Sequence, residues 1–156
     1  MKPADWPEVA AIYGEGIEDG QATFETAIPS WDDFDAGHLA HSRLVADDHG
    51  VIGWAALSPV SRRAVYRGVA EASVYVRRSA RGGGTGRALL DALIASSEAN
   101  GIWTLHASIF PENAASLRLC QGRGFRILGR RERIAQHRGV WRDTLLLERR
   151  SDRVGV

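Results

Sequence analysis

The sequence predicts a mixed α/β (α+β) fold for a single domain spanning 1–156, on three observations. Helical and extended patterns alternate along the chain, with no repeat and no low-complexity linker. A strand, a glycine-packed turn, a helix and a second strand follow one another at its centre, the order of a βαβ unit with a parallel strand pair. A chain of 156 residues, 44% of them hydrophobic, is long and apolar enough for one core.

The elements follow in order. Asp5 is placed to cap a first helix carrying Val9, Ile12, Tyr13 and Ile17. Ser30 is placed to cap a second, from Trp31 to about Leu39. Strands are expected near Arg43–Asp47 and Val51–Leu57, joined by an Asp48-His49-Gly50 turn. Ala72-Ser73-Val74-Tyr75-Val76 is a β-branched and aromatic run and reads as a strand. Leu89, Leu90, Leu93 and Ile94 recur at helical spacing, in a helix reaching about Asn100. Ile102–Phe110 completes the βαβ unit, and a short helix opened by Pro111 or Asn113 ends near Gly122. Two strands, about Arg126–Ala135 and Trp141–Arg149, close the chain around a His137-Arg138-Gly139 turn.

The central turn, Arg81-Gly82-Gly83-Gly84-Thr85-Gly86-Arg87, carries the chemistry. Glycine permits positive φ and close approach of the backbone to another molecule. Successive N–H groups at a helix start, backed by roughly half a unit charge, form a site for an anion such as a pyrophosphate. No Gly-Lys-Ser or Gly-Lys-Thr follows, which removes the P-loop reading, and the strand before the turn is a fourth rather than a first element, which argues against a dinucleotide fingerprint.

Composition narrows the field further. No run of about 18 apolar residues is present and the start lacks a signal-peptide core, so a cytoplasmic location is expected. One cysteine excludes an internal disulfide framework. The net charge of +1 gives no reason to invoke nucleic acid, and His38, His41, His49 and His106 have no metal-ligand spacing, so no metal is expected. Lys2 is the only lysine; the other cations are arginines.

The spacing Arg-x-x-Gly-x-Gly (Arg81, Gly84, Gly86) resembles the acyl-CoA-binding motif of the GNAT superfamily of N-acetyltransferases. Further segments are similar to its phosphinothricin acetyltransferase-like subgroup: Gln21–Thr26, Arg63–Arg67, Ala70–Val76, Pro111–Leu119 followed by Gly124-Phe125, and Trp141-Arg142-Asp143. The resemblance implies the GNAT fold, a central mixed, mostly antiparallel twisted sheet with a splayed parallel strand pair, flanked by helices. It implies acetyl-CoA as co-substrate, a small-molecule amine as acceptor, and a homodimer. Relatives usually begin with a strand before the first helix; almost nothing precedes Asp5, so that strand is missing or the start lies upstream.

The resemblance also implies roles. Moving an acetyl group from a thioester to an amine needs a neutral amine, a stabilised oxyanion and a proton for the thiolate. An alkyl amine of pKa about 10 is neutral in about one molecule per thousand at pH 7, so a base helps. Glu71 matches the family's acidic position; a surface carboxylate pairing Arg63 or Arg67 is the other reading. Backbone N–H groups around Val74, Tyr75 and Val76 are expected to face the thioester and pantetheine, with donors of this kind contributing about 3–4 kcal/mol. Arg81, Arg87 and the turn from Gly82 to Gly86 would hold phosphates, and Asn113 and Ser116 make cofactor-side contacts, Asn113 also as a helix cap. Arg77 and Arg78 read as a solvated approach surface. Cys120 stands where many relatives have the acid that protonates the thiolate, as tyrosine or, in this subgroup, often histidine; a buried small hydrophobe is the alternative.

The subgroup acts on amino acids or analogues with a free α-amine, such as phosphinothricin, methionine sulfoximine and methionine sulfone. Arg63 and Arg67, with Tyr66 between them, are natural partners for the acid group of such a substrate. Phe24 and Glu25 would wall the site, and His137 either lines it from a neighbouring subunit or is an exposed turn residue. The expected activity is direct attack by the amine in a ternary complex. A protein N-terminus, a polyamine or an aminoglycoside as acceptor, and a non-catalytic acyl-CoA sensor, remain open as alternatives.

Overall fold

The computed structural model describes residues 1–156 and has ten principal elements. They are α1 (Trp6–Asp19), α2 (Trp31–Gly37), β1 (Leu44–Asp47), β2 (Val51–Pro59), β3 (Val69–Val76), α3 (Thr85–Ala99), β4 (Thr104–Ile109), α4 (Ala114–Gln121), β5 (Arg126–His137) and β6 (Val140–Arg150). One six-stranded sheet runs in the order β1-β2-β3-β4-β6-β5. Every neighbouring pair is antiparallel except β3 and β4. This is the mixed, helix-flanked sheet expected of a GNAT fold. No helix is long and apolar enough to cross a membrane.

Helices cover both faces of the sheet. On one face Leu89, Leu90 and Leu93 of α3 join Leu105, Phe125 and Leu147 in the larger core. On the other, Val9 and Ile12 of α1 and Phe34 of α2 pack against Val51, Trp54 and Ala56 of β2. Burying an aliphatic or aromatic side chain of this size contributes about 1.5–3 kcal/mol, so each spaced apolar stripe fixes its helix on the sheet.

Local sequence explains the helix ends. Ser30 Oγ accepts from Asp33 N at 3.1 Å and starts α2. Asn113 Oδ1 accepts from Ser116 N at 3.1 Å and starts α4. Asp5 does not cap α1: its carboxylate turns back to accept from Lys2 N at 2.6 Å, and Pro7 occupies the first turn, where a missing N–H costs nothing. The last hairpin turns on Arg138 and Gly139, both at positive φ, so His137 is a strand residue rather than a turn residue. Positive φ at two central positions suits the twist of a two-residue hairpin.

The feature that matters for function is where pairing stops. β3 and β4 are joined only at Val69–Thr104, Ala70–Leu105 and Glu71–His106. Beyond Glu71, β3 stays paired with β2 as far as Val76, while β4 stays paired with β6 as far as Ile109. The two halves of the sheet therefore diverge after Glu71.

Candidate active site

The wedge between the diverging strands holds a cavity of about 410 Å³. Ala72, Ser73 and Val74 line it from β3, and Ala107, Ser108 and Ile109 from β4. A second cavity, of about 710 Å³, lies against the glycine turn. Val74, Tyr75, Asn113 and Ser116 line both, so the two spaces share a wall.

The turn is shaped by its sequence. Gly82 and Gly84 have φ of 83° and 90°, a region in which a side chain is strained. A Cβ at either would meet nothing within 4 Å, so glycine answers a backbone requirement there and leaves the face open. Gly84 caps α3, and its carbonyl accepts the first helical bond from Ala88 at 3.0 Å. The N–H groups of Thr85, Gly86 and Arg87 are left without intrahelical partners, at the positive end of a 15-residue helix. Gly82, Gly84, Gly86, Arg81 and Arg87 line the larger cavity; Gly83 and Thr85 do not.

The arginines around the turn are partly engaged. Arg81 donates to Asp19 at 2.7 Å and to Val76 O at 3.2 Å. Arg78 donates to the same carboxylate at 2.7 Å. Hydrogen bonding from Arg81, ahead of that from Arg78, holds Asp19 below the usual carboxylate range. Arg87 is 71% exposed and only 4.0 Å from Asp91, which leaves its guanidinium available to a phosphate. Arg77 is not a solvated approach residue: it donates to Val51 O at 2.7 Å and to Glu8 at 3.2 Å.

The unpaired edge of β3 supplies donors. Arg77 N donates to Ile52 O on β2 at 2.8 Å. Along a strand successive N–H groups alternate sides, so Tyr75, paired with Trp54, also points its N–H to β2. The N–H groups of Val74 and Val76 point into the wedge. Tyr75 thus turns its amide away from the wedge; its ring stacks on Trp54 at 4.6 Å, and burial pushes its phenol up, so it stays neutral.

Glu71 sits at the last residue pair before the divergence and lines the smaller cavity. Its carboxylate forms no ion pair with Arg63 or Arg67, nor with any other group within 4.0 Å; the carboxylates that do pair are elsewhere. Cys120, on α4, is 8% exposed and faces the same cavity, and burial pushes its thiol up to about 11. Asn113 is occupied at both ends, its Oδ1 by Ser116 N and its Nδ2 by Gln21 O at 2.9 Å. It ties α4 to the loop after α1, where Phe24 and Glu25 line the smaller cavity.

Two sets of expected site residues lie outside both linings. Arg63, Tyr66 and Arg67 occupy the exposed loop between β2 and β3, just beyond the Ser58–Glu71 pair at one end of the cavity. Arg63 packs over Tyr66 at 5.5 Å and Arg67 over Trp103 at 5.6 Å; neither has an acidic partner. His137 is no exposed turn residue but 5% exposed, beneath Phe24 (6.3 Å) and Phe110 (6.2 Å). Burial first, then Arg138 and Arg142, hold its ring neutral, and its Nε2 has no hydrogen-bond partner.

Other lining residues were not expected in the site. Tyr13, His38, Ser58 and Ser108, which lie in no motif, and Thr23, which lies in the Gln21–Thr26 segment, all face the smaller cavity. Only strand register could have found Ser58, which opposes Glu71 across β2 and β3.

The sequence profile of the acetyltransferase (GNAT) family matches residues 6–125. The chain is a GNAT acetyltransferase. Among its relatives is the L-methionine sulfoximine/L-methionine sulfone acetyltransferase of Pseudomonas paraeruginosa, 35% identical over 93% of this chain and 88% of the relative. A phosphinothricin acetyltransferase from Sinorhizobium meliloti, solved in complex with acetyl-CoA, is 30% identical, with a TM-score of 0.87 over 99% of this acetyltransferase and 88% of that chain. A ribosomal-protein-alanine N-acetyltransferase from Brucella melitensis is 31% identical, with a TM-score of 0.87 over 97% of each chain.

Features that suit acetyl-CoA are present in the acetyltransferase. Two left-handed glycines open the turn, and the N-terminal end of α3 and Arg87 border the larger cavity.

Proposed function

We propose that this acetyltransferase moves the acetyl group of acetyl-CoA to the α-amine of a small amino acid or analogue of the methionine sulfoximine, methionine sulfone or phosphinothricin type. The amine attacks directly, in a ternary complex. The observation that carries this reading is the unpaired Glu71 carboxylate at the strand divergence, in a cavity that adjoins the cofactor cavity. The relatives named for such acceptors support the substrate class.

Each group then has a task. Glu71 draws a proton from the acceptor nitrogen, directly or through water. The Val74 and Val76 N–H groups, pointing into the wedge, stabilise charge developing on the thioester oxygen. Arg81 and Arg87 take the phosphates from either side of the turn. Arg63 and Arg67, without acidic partners at the loop beyond Glu71, take the acid group of the acceptor, with Tyr66 between them. Phe24 and Glu25 close the far wall, and His137 supports Phe24 from behind.

Cys120 is a poor covalent carrier. With its thiol at about 11, roughly one molecule in ten thousand is thiolate at pH 7. A full proton transfer from it to a thiolate of ordinary pKa, about 8.5, would run uphill by about 3 kcal/mol. Cys120 therefore serves as an S–H donor beside the departing sulfur.

The protein is proposed to act as a homodimer. Ile127, Leu128 and Ile134 on the edge strand β5, with Val140 and Trp141 on β6, are large apolar side chains exposed on one hairpin.

Thiol release from acetyl-CoA tests the assignment, against phosphinothricin, methionine sulfoximine, methionine sulfone, a polyamine and a peptide with N-terminal alanine. Saturable turnover on the first three is expected. Turnover on the peptide alone would favour the second reading, a protein N-terminus as acceptor, which the Brucella melitensis enzyme supports. A 410 Å³ cavity suits a single amino acid better than a chain end.

A further inference from the structure

Acetylating an ammonium ion removes two protons from nitrogen. R–NH3⁺ and the thioester become R–NH–CO–CH3, a thiol and one H⁺: an N–C bond forms and a C–S bond breaks. One proton ends on sulfur and one leaves to water. A single carboxylate must be emptied between the two transfers, whereas a second acceptor in the same cavity removes that delay.

His38 has the geometry of that acceptor. Its Nδ1 lies 2.7 Å from Phe34 O. A carbonyl only accepts, so Nδ1 carries the hydrogen, and the neutral ring presents a bare lone pair at Nε2. The ring stacks on the Phe34 ring at 4.0 Å and 24°, and Phe34 is itself buried, which fixes the imidazole plane. Leu39 N donates to Leu57 O at 2.8 Å and pins the end of α2 to β2 beside Ser58. Ser58 opposes Glu71 across the strand pair, and His38, Ser58 and Glu71 line one cavity.

We propose that His38 Nε2 takes the first proton from the acceptor's ammonium group, leaving Glu71 to take the second after attack and pass it towards the thiolate. This rests on the acceptor reading above. The charged and titratable groups around His38 agree with it. Arg43, paired with Asp35 of α2, donates to the His38 carbonyl at 2.8 Å; burial and this cation both keep the resting ring neutral. Glu71 from β3, Glu25 from the loop after α1 and the Tyr13 phenol from α1 line the same cavity.

The test is kcat/KM against pH, from 5.5 to 9.5, for the wild type, His38→Asn and Glu71→Gln, with thermal midpoint and acetyl-CoA Kd measured alongside. Asparagine places an amide N–H where Nδ1 stands and keeps the bond to Phe34 O, but has nothing at the position of Nε2. The expected result is a loss of about 100-fold at pH 7, unchanged acetyl-CoA Kd, and recovery towards wild type at pH 9.5, where the amine arrives already neutral. The wild-type acid limb, set by a histidine below 6.5, should vanish in the variant. Wild-type kcat/KM at pH 7, or a loss that does not depend on pH, overturns the role of His38. Should the wild type turn over only the peptide or polyamine while His38→Asn keeps this pH signature, the acceptor reading falls and the proton role stands. Inactivity of the wild type on every amine overturns both.

Discussion

Glu71 is a carboxylate with no ion-pair partner, like Glu25 in the same cavity, but it alone of the two stands on the sheet at the last residue pair before β3 and β4 part, where a base would be held in place. Glu71→Gln should lower kcat by about 100- to 1000-fold at pH 7 and leave acetyl-CoA Kd unchanged in a binding titration. Cys120→Ala should cost less than about threefold, since a thiol at about 11 gives up little proton in the step; a large, pH-dependent loss would make Cys120 the acid after all. His137 makes a prediction for stability. Its folded pKa lies below 6.5, so the unfolded chain binds a proton there before the folded one does. Stability is therefore full above 6.5 and declines as pH falls through that value. His38 shifts the same way, while Asp19, Glu98 and Asp143 are held low and matter only in stronger acid. His137→Gln should flatten the fall in thermal midpoint between pH 8 and 5.5. The role proposed for Glu71 was legible in its motif. That proposed for His38 was not, because it depends on a backbone bond between Leu39 and Leu57 that joins segments with no sequence signal in common.

The glycine turn separates two demands at the level of the element. Gly84, at φ 90°, is required by conformation, whereas Gly86 has ordinary φ and a Cβ there would rest 3.5 Å from Leu119 and Val76. Gly84→Ala should destabilise by about 1–2 kcal/mol through backbone strain and weaken acetyl-CoA at least tenfold. Gly86→Ala should fold and bind nearly as the wild type; calorimetric titration of both variants makes the comparison. Periodicity and turn chemistry placed α1, α3, α4 and the order of the strands, since local propensity and packing agree there. It misplaced the role of Asp5, whose carboxylate had the nearer donor in Lys2 N. It could not show that Tyr75 turns its amide to β2, which is a matter of register, nor that β3 begins at Val69 rather than near Ala72.

On the scale of the whole molecule, one end of the sheet is unfinished. The β5–β6 hairpin exposes Trp141 at 55% and Val140 at 61%. If the proposed dimer forms through this hairpin, Trp141→Glu should halve the mass seen by sedimentation; a wild type that already runs as a monomer, or a variant of unchanged mass, would overturn that face as the interface. The sequence could not reveal this surface, since alternation along β5 and β6 marks two faces without saying which meets water. The three residue pairs between β3 and β4 have a mechanical consequence. With the bonds that the Gly68 carbonyl accepts from Trp103 N and Thr104 N just before them, they seam the β1-β2-β3 half to the β4-β6-β5 half, so the sheet is bound like a half-open book along a short spine that ends at Glu71. In the proposed complex a thioester lying between the pages would act as a missing rung, and Glu71 would stand beside the spine, where the pages are least parted.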